Sequence, residues 1–499
     1  MPLPVRARPA TAAETRRAVA STDEVLMFAL PTLLSAFRFS GHHFADLDPL
    51  GLRAPLPNSY PALERLVNSV RRGGASSDYD LSGFGLEQRH LSCNVSIDHL
   101  SPLFDGEACG LADGVDTVTL REAIDALVAV YCGKVAVEYD HCGTHAERIW
   151  IRDQVEKHRT VAFPLEREQK VQMLRLIAEA NRTEAFLGKN FPNAKRFGIE
   201  GCEAVVPCLG VIFRTAAEGG VEVCEMAMAH RGRLNVLANL LRKPLGALFN
   251  EFGTKQSQLE VGDVKYHLGT RAVLDAESVD WMRGSGSGRS GAHPARSEKP
   301  LEVFLSANPS HLEFVGPVCV GRARARQDRE KFAALGLVGG PTSGDNTAIV
   351  AAADDDNQVK PVLAAMLATA EEEEEAAAAA AGAASAVAAS AVAAAHAAAR
   401  SVMAVVVHGD SSVCGQGIVA ETLELGVLPH FSTHGVLHLV INNQIGFTTA
   451  ARSSQHTSPH TTNVAKVAGA PVIHCNADDP EAVARSASLA ERFRQRFGR

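Results

Sequence analysis

From Phe197 onward, short apolar runs that each stop at Gly, Asn or Asp alternate with stretches of helical period. That alternation predicts βαβ units and an α/β fold with a mostly parallel, doubly wound sheet. Residues 221–229, 301–307, 402–408 and 437–441 are the predicted strands. Between them, Leu234, Leu237, Ala238 and Leu241 fall on one helical face, and residues 418–428 form a second predicted helix. Upstream, residues 120–187 read as a small helical region, with Ala123, Ile124, Leu127 and Val128 on one face and Val171, Leu174 and Ala178 on another. Residues 21–115 are mixed, their short apolar runs separated by loop-like stretches such as residues 71–77.

Two low-complexity stretches interrupt the α/β pattern: the Gly/Ser run at 283–288, and a longer segment with acidic runs at 354–356 and 371–375 and an alanine tract. Both are expected to be surface insertions. The second is expected to be a solvated helix or a disordered loop, since nothing in it can converge on a ligand. The resulting division is 1–20, 21–115, 116–190, 191–327, 328–400 (the insertion) and 401–499.

At 499 residues the chain exceeds what one core supports. Its 49 basic and 57 acidic residues include no basic block, so nucleic acid is a poor partner. The ten cysteines are scattered without a C-x-x-C pair, which indicates neither a zinc site nor a disulfide framework and fits a reducing compartment. Arg6, Arg8, Arg16 and Arg17 against the single acid Glu14 give the first 20 residues the composition of a mitochondrial transit segment. The alanine tract lacks the Leu, Ile and Phe that drive membrane insertion, so no span and no membrane partner are expected.

Chemistry concentrates where predicted strands end. Gly409-Asp410 closes one apolar run, and about thirty residues later Asn442-Asn443-Gln444-Ile445-Gly446 closes the next. In open parallel sheets ligands bind beside the strands' carboxyl ends. There Asp410, Asn443 and the Ile445 carbonyl would offer three hard oxygens suited to Mg²⁺ with phosphate and water completing its shell. Taken singly, the aspartate reads as a helix cap and the asparagine pair as a turn. A third run ends at His230-Arg231-Gly232-Arg233, placing Arg231 near a helix start where an anion can be met. The fourth ends at Asn308-Pro309-Ser310-His311, with Ser310 or Asn308 as the expected helix cap and His311 on the site side. His267 follows Lys265-Tyr266. No Gly-rich loop ending in Lys-Ser/Thr is present, which argues against a generic nucleotide site.

The blocks Arg196-Phe-Gly-Ile-Glu-Gly, Met228-Ala-His-Arg-Gly-Arg-Leu-Asn, Lys265-Tyr-His-Leu-Gly, Ala307-Asn-Pro-Ser-His-Leu-Glu and Ile441-Asn-Asn-Gln-Ile-Gly closely resemble the first component of 2-oxoglutarate dehydrogenases. Arg38-x-x-Gly41-His42-His43 resembles that family's N-terminal region, so the likeness covers nearly everything outside the two insertions. The Lys-Tyr-His block favours it over the related 2-oxoadipate dehydrogenases. The resemblance implies a thiamine-diphosphate-binding fold, with Asp410, Asn443 and Ile445 holding Mg²⁺ and Arg231 on the cofactor diphosphate. It also implies His230, His267 and His311 as catalytic residues lining the substrate pocket. The implied activity is oxidative decarboxylation of 2-oxoglutarate in the tricarboxylic acid cycle, the cofactor acting as electron sink and a succinyl group passing to the lipoamide of a partner succinyltransferase. A homodimer and the mitochondrial matrix, or the cytoplasm of a bacterium, go with that reading. Where the family usually has two alanines and an aromatic after the metal aspartate, this chain has Ser411, Ser412 and Val413, a change the site is expected to tolerate. Family members continue well past the last residue here with a pyrimidine-binding domain carrying a required glutamate. The chain alone is therefore expected to be inactive or nearly so. The alternative is a non-catalytic product that keeps only cofactor or subunit contacts.

Overall fold

The computed structural model describes residues 22–51, 60–73, 78–100, 116–157, 165–253, 265–275, 300–334, 386–446 and 460–499. The expected transit segment, the Gly/Ser run and residues 335–385 of the expected insertion lie outside these. Two compact units form, one from residues 1–46, 55–138 and 152–160, the other from 47–54, 139–151 and 161–499.

In the first unit, α1 (Thr22–Ser40), α2 (Pro61–Arg72) and α3 (Leu120–Tyr131) are joined by a small antiparallel pair, β1 (Asn94–Ser96) with β2 (Thr117–Thr119). A capping box starts α3: Thr119 accepts from the Glu122 amide while Glu122 accepts from Thr119. Its buried face is Ala123, Ile124, Ala126, Leu127, Val130 and Tyr131, whereas Val128 is only half-buried. After Gly133, residues expected to continue as helix instead form β3 (Val135–Glu138). The Arg38-x-x-Gly41 spacing has a packing reason. Arg38 forks onto the buried Glu156 carboxylate at 2.7 and 2.9 Å, and a Cβ on Gly41 would lie 2.7 Å from the Tyr131 Cβ.

The second unit is built on a five-stranded sheet of order β5-β6-β4-β7-β8, from β4 (Val223–Met228), β5 (Thr270–Leu274), β6 (Leu301–Leu305), β7 (Val402–Gly409) and β8 (Val436–Ile441). All neighbours are parallel except the β5 edge, which runs antiparallel to β6. Residues 402–408 of β7 are all buried, as a strand covered on both faces must be. Met403, Val405 and Val407 pack with α5 (Val205–Glu218), which follows α4 (Arg167–Asn190) in the chain. Val402, Ala404 and Val406 pack on the opposite face with α6 (Val315–Ala334). Charge pins α6 as well, since Glu225 in the middle of β4 is fully buried and takes Arg322 at 3.0 Å and Arg326. Leaving both arginines out would strand a buried carboxylate.

Three expectations are corrected here. The buried side of α4 is Gln169, Met173, Ala180, Glu184 and Leu187, while Val171 and Leu174 are exposed. A spacing of three or four marks a face but not which face meets the core. α6 begins at Val315, so neither Asn308 nor Ser310 caps it, because residues 306–314 first turn across the sheet edge. The ends of the expected insertion belong to the helical layer: residues 328–334 continue α6, and α7 (Ala386–Arg400) buries Ala395 and Ala399. Alanine gives a helix a narrow, close-packing face, which composition alone does not distinguish from a solvated tract.

The core and surface assignments predict a contrast in denaturant unfolding. Leu209→Ala, at a fully buried α5 position, should cost about 2 to 5 kcal/mol. Leu174→Ala, at a position 65% exposed, should change stability by no more than about 0.5 kcal/mol.

Candidate active site at the carboxyl ends of the strands

Parallel pairing aligns four strand ends. Met226 pairs with Leu305, Met228 with Val407, and Gly409 with Ile441, so β6, β4, β7 and β8 all finish along one edge. Asp410 therefore leaves the sheet beside Asn442, one residue before Asn443, while His230-Arg231 and Ser306–His311 leave from the two neighbouring strands.

Asp410 is 3% exposed, opens the short helix α8 (Asp410–Gly415), and its main-chain carbonyl accepts the Thr461 hydroxyl at 2.5 Å. α8 leads into α9 (Gly417–Val427). Asn442 and Asn443 form successive side-chain turns, Asn442 Oδ1 accepting Gln444 N–H and Asn443 Oδ1 accepting Ile445 N–H, both at 3.1 Å. Gln444 sits at φ 59, and its amide donates to Asp48 at 3.0 Å. The bland turn reading and the ligand reading thus coexist. Asn443 is half-buried and Ile445 exposed, and the donor set of carboxylate, amide and carbonyl oxygen fits a hard divalent cation.

Arg231 donates to the Gly198 carbonyl at 2.9 Å. The neighbouring Gly232 has φ 75, and a Cβ there would come within 2.6 Å of Ile199 Cδ1, so the turn needs glycine on both counts. Burial raises the pKa of the Cys202 thiol, with Arg231 opposing that rise and Glu203, Asp410 and Asp478 adding to it. Guanidinium and Asp410 carboxylate thus act on the same neighbourhood.

The three histidines separate. His230 and His267 stack with ring centroids 5.0 Å apart, and Phe197 and Tyr266 pack around them. His267 is buried, and burial followed by the neighbouring His267 lowers the His230 pKa. His311 is exposed and makes an edge contact with Phe314 at 5.5 Å, so the structure does not bring it into the same ring cluster.

Two arrangements at this edge were not anticipated from sequence. Arg233, fully buried, donates to the carbonyls of Met228 at 2.7 Å, Leu268 at 2.9 Å and Ser306 at 2.5 Å, tying three chain segments together. With no carboxylate paired to it among the described residues, burial pushes its pKa down to about 10. Beneath Asp410, the Glu313 carboxylate accepts from His408 Nδ1 and from the Ser412 hydroxyl, and His408 Nε2 bonds His438 Nδ1 at 2.8 Å. Glu313 holds φ 73, a conformation costly for a residue with a side chain and sustained here by its two bonds. The Ser412 hydroxyl thereby ties the start of α8 to the Glu313 carboxylate. The only sequence signal for this network was a histidine two positions ahead of Asp410; its partners come from distant segments.

His438 is pushed down to about 3, by burial first and then by His408, and His434 likewise to about 3, by burial and then Lys331 and Arg400. Below the ordinary value of 6.5 the unfolded chain takes these protons and the folded chain does not, so stability falls as pH drops from 6.5 toward 3. Urea midpoints at pH 7 and pH 5 are expected to differ less in His438→Gln than in the natural chain. Equal differences would contradict this account.

Residues 357–499 match the dehydrogenase E1 component family. Over 493 residues, 98% of this chain, it is 32% identical to a 2-oxoglutarate dehydrogenase, mitochondrial, of Caenorhabditis briggsae. It is 34% identical over 477 residues to one from Dictyostelium discoideum, and 32% identical over 494 residues to a 2-oxoglutarate dehydrogenase E1 component of Brucella ovis. The chain spans 37%, 36% and 38% of these relatives' lengths, respectively. No helix among the described residues is long and apolar enough to cross a membrane. With these matches along nearly its whole length, the chain is 2-oxoglutarate dehydrogenase-like and of the E1 type.

Proposed function

We propose that this edge binds thiamine diphosphate through Mg²⁺ and that the chain serves the oxidative decarboxylation of 2-oxoglutarate. In this reading Asp410, Asn443 and the Ile445 carbonyl are the metal ligands, and Arg231 meets the diphosphate. The observation that supports it is the β7–β8 register, which ends the two adjacent strands at Gly409 and Ile441, one residue before Asp410 and two before Asn443. When bound, the cofactor supplies an electron sink for the carbanion left by loss of CO₂.

The protein's own contribution is binding and orientation. His267, buried, and His230, half-buried, form a ring-packed wall where imidazole N–H groups can donate to substrate oxygens. The Glu313–His408–His438 chain fixes the end of β7 and hence the approach to Asp410. His311, being exposed, enters this proposal at the rim and not in the wall. The doubly wound sheet, homodimer, lipoyl-bearing succinyltransferase partner and matrix or bacterial cytoplasmic location belong to the same proposal. It is supported by the mitochondrial and bacterial E1 relatives named above.

Calorimetric titration of thiamine diphosphate tests the reading. Uptake should require Mg²⁺, vanish with a chelator, and weaken by about 10-fold or more in Asp410→Ala. Magnesium-independent uptake, or equal affinity in the variant, would overturn it.

A further inference from the structure

Next to the stacked imidazoles, several buried polar atoms have no hydrogen-bond partner among the described residues. They are His230 Nε2, Ser306 Oγ, and both the nitrogen and the oxygen of the Asn308 side-chain amide. Asn308 is 2% exposed and Ser306 6%. A buried amide left unpaired costs about 1 to 3 kcal/mol, and folded proteins rarely keep one unless something outside the fold completes it.

The backbone of the same segment is, by contrast, well used. Ser306 N–H donates to Met226 O at 2.9 Å, the Ser306 carbonyl accepts from Arg233, and Asn308 N–H donates to His267 O at 2.8 Å. The Pro309 carbonyl bonds His230. Main-chain bonds therefore seat Asn308 beside the His230–His267 pair, and its side-chain amide makes no bond that holds it there. Leucine, of similar size, would fill the same space without the unpaired groups.

The chemistry of the neighbourhood indicates what completes it. The Asn308 side-chain N–H groups are donors without a partner among the described residues, the Ser306 hydroxyl can donate beside them, and the nearby acid in this stretch, Glu313, is already committed to His408 and Ser412. Unpaired donors with the nearby carboxylate occupied suit an anionic oxygen.

We propose that Asn308 is a substrate-binding residue, its side-chain N–H donating to a carboxylate oxygen of the 2-oxo acid held beside His230 and His267. This rests on the proposed function above, and it predicts an unusual pairing of effects. Removing the amide should relieve the folded chain and weaken the ligand together.

The full chain with Mg²⁺ and thiamine diphosphate is titrated with 2-oxoglutarate, and thermal unfolding is followed without it. Asn308→Leu is expected to unfold at the same or a higher temperature and to bind 2-oxoglutarate about 10-fold more weakly. Asn308→Asp keeps the shape but turns the donor into a negative oxygen, and should bind more weakly still. This second variant decides the matter if the leucine variant does not fold. Unchanged affinity in both variants, as an ordered water in the recess would give, overturns this inference alone. So does a lower unfolding temperature for Asn308→Leu, which would mean the amide is paired within the fold. If the natural chain itself binds no 2-oxoglutarate, the proposed function fails and this inference falls with it.

Discussion

In-register parallel pairing is the constraint from which the rest follows. Once Met226 pairs with Leu305, Met228 with Val407 and Gly409 with Ile441, four chain segments must leave the sheet on one side. Each then has to turn into a helix or loop within a few residues. That crowding accounts for Gly232 in a left-handed turn, for Glu313 and Gln444 at positive φ, and for the asparagine turns after β8. Arg233 answers the same problem, supplying donors to three carbonyls where the ladders run out.

The two sides of the unit divide the work. The layers around β7 are aliphatic and closely covered, with Met403, Val405 and Val407 against one helix layer and Val402, Ala404 and Val406 against the other. Stability comes from there. The strand-end edge collects groups that work against it: a buried guanidinium without a carboxylate, an acid at positive φ, imidazoles kept neutral by burial, and an amide with no partner among the described residues. A sheet this well buried can tolerate such a margin, and an edge with unmet polar groups is where a ligand gains most by binding.

What sequence revealed and what it hid follow from interaction range. β7 and β8 were legible because an uninterrupted aliphatic run ending in Gly-Asp or Asn-Asn is a local signal, and neighbouring strands share it. The Gly198–Arg231 bond and the Ile199–Gly232 contact were legible only as two matching blocks, without their mutual contact. The α4 face was misread because Val171 and Leu174 obey helical spacing while the core instead lies behind Met173 and Ala180. The Glu313–His408–His438 chain could not be read at all, since it joins three segments whose closeness only the sheet creates. His311 was grouped with His230 and His267 by residue type and strand-end position, and the turn after β6 leaves it exposed.

The claim that Asp410 and Asn443 share one cation can be seen directly. Crystals of the chain grown with thiamine diphosphate and Mn²⁺ in place of Mg²⁺ would locate the metal by its anomalous scattering. The account predicts a single peak within coordination distance of an Asp410 carboxylate oxygen, the Asn443 side-chain oxygen and the Ile445 carbonyl. A peak bound to Asp410 alone, or one elsewhere with the two side chains apart, would contradict it.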